Sequence, residues 1–144
     1  MSNGTNEINN MGFFLGGKAT FTVYGPAGHY TFRINQAKSK DIFFCSLLSG
    51  PDNQNDYNYV GVYQSGRGRV ILTRASKITE EATSLKALNW ALGRLFDRKP
   101  FPAGYGVMHE GKCCVCAKPL TDPLSIDLGV GPICREKMAG GMAA

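Results

Sequence analysis

Four of the chain's five cysteines crowd into HEGKCCVCAKPLTDPLSIDLGVGPIC, the stretch from His109 to Cys134. Cys113 and Cys116 have two residues between them, the spacing at which two thiolates around a tight turn reach one metal ion at about 2.3 Å. Cys134 follows after 17 residues, behind Gly129-Val130-Gly131-Pro132, a turn expected to open a short helix with Pro132 in its first positions. A thiolate near a helix N-terminus is favoured by the dipole. Structural zinc takes four ligands. His109 is the expected fourth, giving H-x3-C-x2-C-x17-C, with Asp127 or a water as alternatives. Cys114 should point elsewhere while its neighbour ligates. Two other readings exist: reduced cysteines packed as small hydrophobes, or a redox-active C-x-x-C pair. The latter wants a thioredoxin-like βαβ context that is missing here.

Size argues for the metal. Only 36 residues run from His109 to the end, and units below roughly 40 residues usually need a disulfide, a metal or a partner. The start, MSNGTNEINN, has no basic and apolar leader, so a cytoplasmic, reducing location is expected, where thiols bind metals rather than pair. The longest apolar run, at Ile42–Leu48, is too short for a bilayer, so no membrane partner is expected. A closed Cys3His shell around Zn2+ leaves no position for substrate, which makes the ion structural. Without His109 an open site becomes possible, but Glu110 is the nearest base and the H-x-E deaminase pattern is absent. With two histidines and no paired carboxylates at a suggestive spacing, an enzyme is not expected.

The elements that must hold this tail are legible by periodicity. Residues 1–12 read as a flexible lead. Phe21 and Val23, then Tyr30, Phe32 and Ile34, alternate with polar residues around Gly25-Pro26-Ala27-Gly28, as in a β-hairpin. Ile42–Leu48 reads as a covered strand, and Tyr57–Tyr63 and Arg69–Thr73 as two more. Ala82, Leu85, Leu88, Leu92, Leu95 and Phe96 recur at helical spacing, with Thr79 as N-cap and Glu80 and Glu81 in the first turn. Trp90 lies off that stripe and is the expected docking side for the tail. The fold class is therefore α+β: a small antiparallel sheet of about five strands covered by one helix over residues 13–98. A Pro/Gly linker at 99–106 leads to a zinc-ribbon or treble-clef-like module at 107–140 and a small-residue tail at 141–144.

Charge is uneven. The formal net charge is +5, and residues 11–78 hold eight cationic residues against three aspartates, whereas residues 109–144 are neutral. Arg67, Arg69, Arg74 and Lys77 surround one hairpin, beside Tyr57, Tyr59 and Tyr63 on the preceding strand. With Arg33 they are candidate nucleic-acid contacts, phosphate to cation and base to aromatic ring. The alternative is a solvated turn beside tyrosines packed under the helix. Gly12-x4-Gly17-Lys18 is close to a phosphate-binding loop, but Ala19 replaces the metal-binding hydroxyl residue and a strand rather than a helix follows.

The stretch HxxxCxxC…KPLTDPLSI…GVGPIC resembles the C-terminal module of a family of uncharacterised phage and bacterial proteins. That family carries C-x-x-C-G-[RK]-x-L-[ST]-x-P-x-S-I followed by G-[IV]-G-P-x-C. Cys113, Cys116, Leu120, Pro123, Ser125 and Cys134 fall on the pattern. Ala117 stands in place of its glycine, which strains the turn without removing a ligand. Softer likenesses to phage proteins extend forward to about Gly16. The resemblance implies phage or prophage origin and zinc binding, and no activity. The expected function is a phage-type accessory protein that binds nucleic acid non-catalytically. The alternative is a protein-binding inhibitor or modulator of a host enzyme or defence complex, such as an anti-CRISPR-like role.

Overall fold

The alternation of apolar and polar residues along the front of the chain produces strands with one dry face and one wet one. The structure, a computed structural model, describes residues 7–8, 11–38, 41–51, 56–64, 66–120, 126, 129–131 and 134. A 3-10 turn, Met11–Leu15, precedes β1 (Lys18–Gly25), β2 (Gly28–Gln36), β3 (Ile42–Leu48), β4 (Tyr57–Gln64) and β5 (Val70–Ile71). Helix α1 (Thr83–Phe96) and β6 (Gly106–His109) follow. The strands form one antiparallel sheet of order β5-β4-β3-β2-β1-β6.

Six strands replace the expected five. The additional strand comes from the end of the expected linker and the start of the expected module: Phe21 lies opposite His109 and Tyr24 opposite Gly106. The supposedly flexible lead also contributes to the fold. Ile8 is buried and donates its backbone N–H to the Val107 carbonyl at 2.8 Å, and Glu7 bridges to Met108. Among the described residues no helix is long and apolar enough to cross a membrane.

Ala19, Phe21, Val23, Phe32, Ile34 and Phe43 form the inner face of the sheet, with Cys45 buried among them. The helix lays Leu85, Leu88, Ala91, Leu92 and Leu95 against this side. It starts later than expected, with Ala82 rather than Thr79 at the N-cap. The reason lies in the preceding segment: Lys77 gives its N–H to the Tyr59 carbonyl at 3.0 Å, and Ala82 turns back to Thr79 at 3.1 Å. Those residues run along β4 before the chain is free to coil, so Glu80 and Glu81 precede the helix. Asn89 then clamps the helix to β5, accepting from Val70 N–H at 2.7 Å and donating to its carbonyl at 3.1 Å.

Among the described residues, the linker rather than the cysteine segment packs on Trp90. Phe101 and Tyr105 pack on it, with ring centroids 5.7 and 5.3 Å away. Arg94 donates from Nε and Nη2 to the Pro100 carbonyl, at 3.0 and 2.6 Å. The Pro/Gly segment thus folds back on the helix near the Gly25 end of β1, whereas Cys114 lies at the other end of that strand, its carbonyl accepting the Lys18 N–H.

One irregularity matters for function. The β3–β4 register shifts between Cys45 and Ser46: Ser46 pairs with Tyr59 but Cys45 pairs with Gly61. Val60 is the extra residue of a β-bulge, and everything beyond it on β4 changes face.

Two glycines give opposite expectations. A Cβ at Gly61 would stand 2.4 Å from the Ile71 carbonyl oxygen, whereas one at Gly93, inside α1, meets nothing within 4 Å. Gly61→Ala should lower stability by about 1–3 kcal/mol through overpacking. Gly93→Ala should raise it by about 1 kcal/mol. Urea unfolding of the two variants checks both signs.

Candidate metal centre and the open face of the sheet

Beyond β6 the chain makes a tight hairpin. Leu120 donates to the Gly111 carbonyl at 2.8 Å, Cys113 to Lys118 at 2.9 Å, and Ala117 to Cys113 at 2.9 Å. The Val115 N–H points at the Cys113 Sγ, 3.4 Å away. A second arm arrives when Cys114 donates to the Gly129 carbonyl at 2.8 Å. Together they bring Cys113, Cys116 and Cys134 into one group, with all three sulfurs within 4.8 Å of one another. Sulfurs sharing a tetrahedral ion at about 2.3 Å stand about 4 Å apart, so the group is compatible with a metal site. Cys113 and Cys134 are buried and Cys116 is half-buried.

The electrostatics suit a ligand set. Burial works to raise the Cys113 thiol, but the N–H groups of Gly131, Cys116 and Val115, with the Cys116 thiol, outweigh it and bring it down to about 7. Burial pushes Cys134 up to about 11, and its neighbours Cys116 and Cys113 push the same way. One easily formed thiolate, Cys113, thus stands beside a reluctant one, Cys134. Cys114 stays out of the group. A Cβ on Gly16 would stand 2.6 Å from its Sγ, its carbonyl accepts the Lys18 N–H at 2.7 Å, and burial holds its thiol up at about 12. The near-miss phosphate loop is therefore the seat of Cys114, and β1 follows it directly.

His109, the expected fourth ligand, is not brought into the group. Its Nδ1 accepts the Gly111 N–H at 2.9 Å. That leaves Nε2 carrying the proton, which it donates to the Ile126 carbonyl. Both ring nitrogens are thus engaged by backbone groups, and His109 is not among the three clustered ligands. The ring stacks on Phe13 at 5.7 Å, and Gly129, at φ +71°, lies so close to Phe13 that a Cβ would stand 2.5 Å from it. His109 thus ties β6 to the second arm. The alternative ligand Asp127 lies outside the described residues, as do 121–125, 132–133 and everything after Cys134.

The other site expected from sequence is split by the bulge. Tyr57 and Tyr59 lie on the outer face of the sheet, but Tyr63 is only 1% exposed, set edge-on to Phe43 in the core. Arg33 joins the outer face: its guanidinium carbon lies 4.0 Å from the Tyr57 ring centroid. Ser46 sits between Arg33 and Tyr59 in the ladder, and Phe44 packs against Tyr59 at 6.2 Å. Arg67, Arg69, Arg74 and Lys77 are exposed around β5, the edge beyond β4. Among the described residues no second helix covers this outer face.

A groove of about 620 Å³ crosses it, lined by Thr22, Thr31, Arg33, Tyr57, Met108 and Glu110. The threonine hydroxyls meet at 2.7 Å, and Thr22 also donates to Glu110 Oε1 at 3.1 Å. Arg33 and Tyr57 were expected contacts, but sequence reading missed Met108 and Glu110 because β6 was not recognised as a strand. The period-2 signal was present, in Val107 and His109 buried against exposed Met108 and Glu110.

Residues 105–139 match the model of a family of unknown function (DUF6011). No curated protein and no solved structure matches significantly. The tail motif thus fits an uncharacterised family.

Ala117, in the glycine position of the tail motif, has φ +64°, a left-handed conformation that strains any residue with a Cβ. Ala117→Gly should therefore stabilise the protein by about 1 kcal/mol. A lower midpoint in denaturant for that variant would contradict it.

Proposed function

We propose that the protein binds single-stranded nucleic acid, without catalysis, on the open face of its sheet, and that one structural Zn2+ staples its cysteine segment. The Arg33–Tyr57 pair carries the reading. A guanidinium 4.0 Å over an aromatic ring, set in a groove on a sheet face that no described helix covers, offers a stacking plane to bases and a counter-charge to phosphate. Tyr59 and Phe44 extend the apolar surface beside it. Arg67, Arg69, Arg74 and Lys77 add exposed charge at the β5 edge, in the half of the chain that holds the cationic excess. Tyr63 has no part in this surface.

Three clustered sulfurs are a donor set that zinc takes in structural sites. Cys113, Cys116 and Cys134 would hold the ion, which would cross-link the hairpin at Gly111–Leu120 to the second arm. Its value lies in the paucity of apolar residues there. The role in this reading is that of an accessory factor, in a phage setting that the tail motif suggests.

A second reading, a protein-binding modulator of a host enzyme or defence complex, has a separate support. Trp90, Phe96 and Tyr105 are 38%, 45% and 41% exposed on the helix side, away from the groove. Capture of a host protein that persists after nuclease treatment, and is lost with Trp90→Ala, would favour it.

Fluorescence anisotropy with single-stranded oligonucleotides tests the first reading. Affinity should fall with salt, with a log–log slope of about −0.7 per phosphate contact. Arg33→Ala and Tyr57→Ala should each weaken binding by about fivefold or more. Absent or salt-insensitive binding refutes it. Purified protein should carry about one zinc per chain, and chelation or Cys113→Ser should lower the melting temperature by about 10 °C. Metal-free protein with unchanged melting would remove the zinc.

A further inference from the structure

Glu110 is out of place in a groove that takes a polyanion. Its carboxylate is exposed at the mouth, across from Arg33 and Tyr57, where it would repel any phosphate that approached. Thr22 steadies one oxygen with a 3.1 Å hydrogen bond. Another carboxylate, Glu7, accepts from the hydroxyl of the lining residue Tyr24 at 2.5 Å. Burial raises Tyr57, Arg33 opposes it, and the Glu110 charge adds to the rise, so carboxylate and ring feel one another across the groove.

What can lie against a held carboxylate beside a stacking ring is a base edge that donates hydrogen bonds. Adenine and cytosine present one amino group next to a ring nitrogen whose lone pair would face the second carboxylate oxygen. Thymine and uracil present one imino N–H flanked by carbonyls. Guanine alone places N1–H and the 2-amino group side by side, a pair of donors that matches both oxygens of a carboxylate. Resting on the nucleic-acid reading above, we infer that the groove is a guanine-reading site, with the base stacked on the Arg33–Tyr57 pair and its Watson–Crick edge held by Glu110. Lys112, which also lines the groove, stands on the same side as Glu110 and is available to an adjoining phosphate.

The test uses the full-length, zinc-checked protein and labelled thymidine dodecamers with one central dG, dI, dA or dC, titrated at low salt. The dG oligonucleotide should bind about tenfold tighter than dA or dC, and measurably tighter than dI, which lacks only the 2-amino group. In Glu110→Gln the dG-to-dI ratio should collapse to about one, because a carboxamide turns an amino group toward one of the donors. Thr22→Val, which releases the carboxylate, should shift the ratio the same way, and unchanged circular dichroism certifies both folds. If wild-type protein binds all four equally, the guanine assignment falls and the nucleic-acid reading stands. If a dG preference survives in Glu110→Gln, the assignment falls too. If none of the four binds, both readings fall together.

Discussion

The antiparallel pairing of Gly106–His109 with Phe21–Tyr24 is the constraint on which the rest of the structure depends. It decides that Val107 and His109 face the core and that Met108 and Glu110 face the groove. It also delivers Cys114 five residues later to a fixed place beside Gly16 and Lys18. A tail hung on a loose linker would have no such address. Here the knuckle inherits its position from a sheet edge, and its backbone is tied to that edge by the Lys18–Cys114 hydrogen bond. The candidate metal centre and the candidate binding face thus both take their position from one strand.

Much of this was legible in the sequence because local chemistry and final environment agree. The β1–β2 hairpin follows its alternation and its Gly-Pro turn, and the leucine stripe marks the buried side of α1. The cysteine spacing brings three sulfurs together. In each case a short-range pattern carries the information, and no distant partner has to be known.

Where expectation and structure part, the opposite property is shared. His109 has the right type and spacing for a ligand, yet its two nitrogens are claimed by Gly111 N–H and the Ile126 carbonyl, groups whose positions depend on the folded tail. Tyr63 has the right parity to join Tyr57 and Tyr59, but an inserted Val60 reverses it, and nothing in YNYVGVY announces a bulge except the glycine that lets Ile71 approach. Thr79 is a sound N-cap by type, but Lys77 is already committed to β4. The strand at Gly106–His109 was hidden by its length: four residues behind a Pro/Gly segment resemble a linker until an edge exists to receive them.

Joining the first strand to the last also has a temporal meaning. A chain emerging from the ribosome presents its early strands first, and β1 comes out with one side already paired by its hairpin and the other bare. That bare side is an open template for any extended segment nearby, and it stays so for some eighty residues, until Gly106–His109 appears. Foldases, neighbouring nascent chains or a too-early Ile8 all have that interval in which to occupy the wrong seat. The molecule's vulnerability therefore lies in its making, at the seam where its beginning waits for its end.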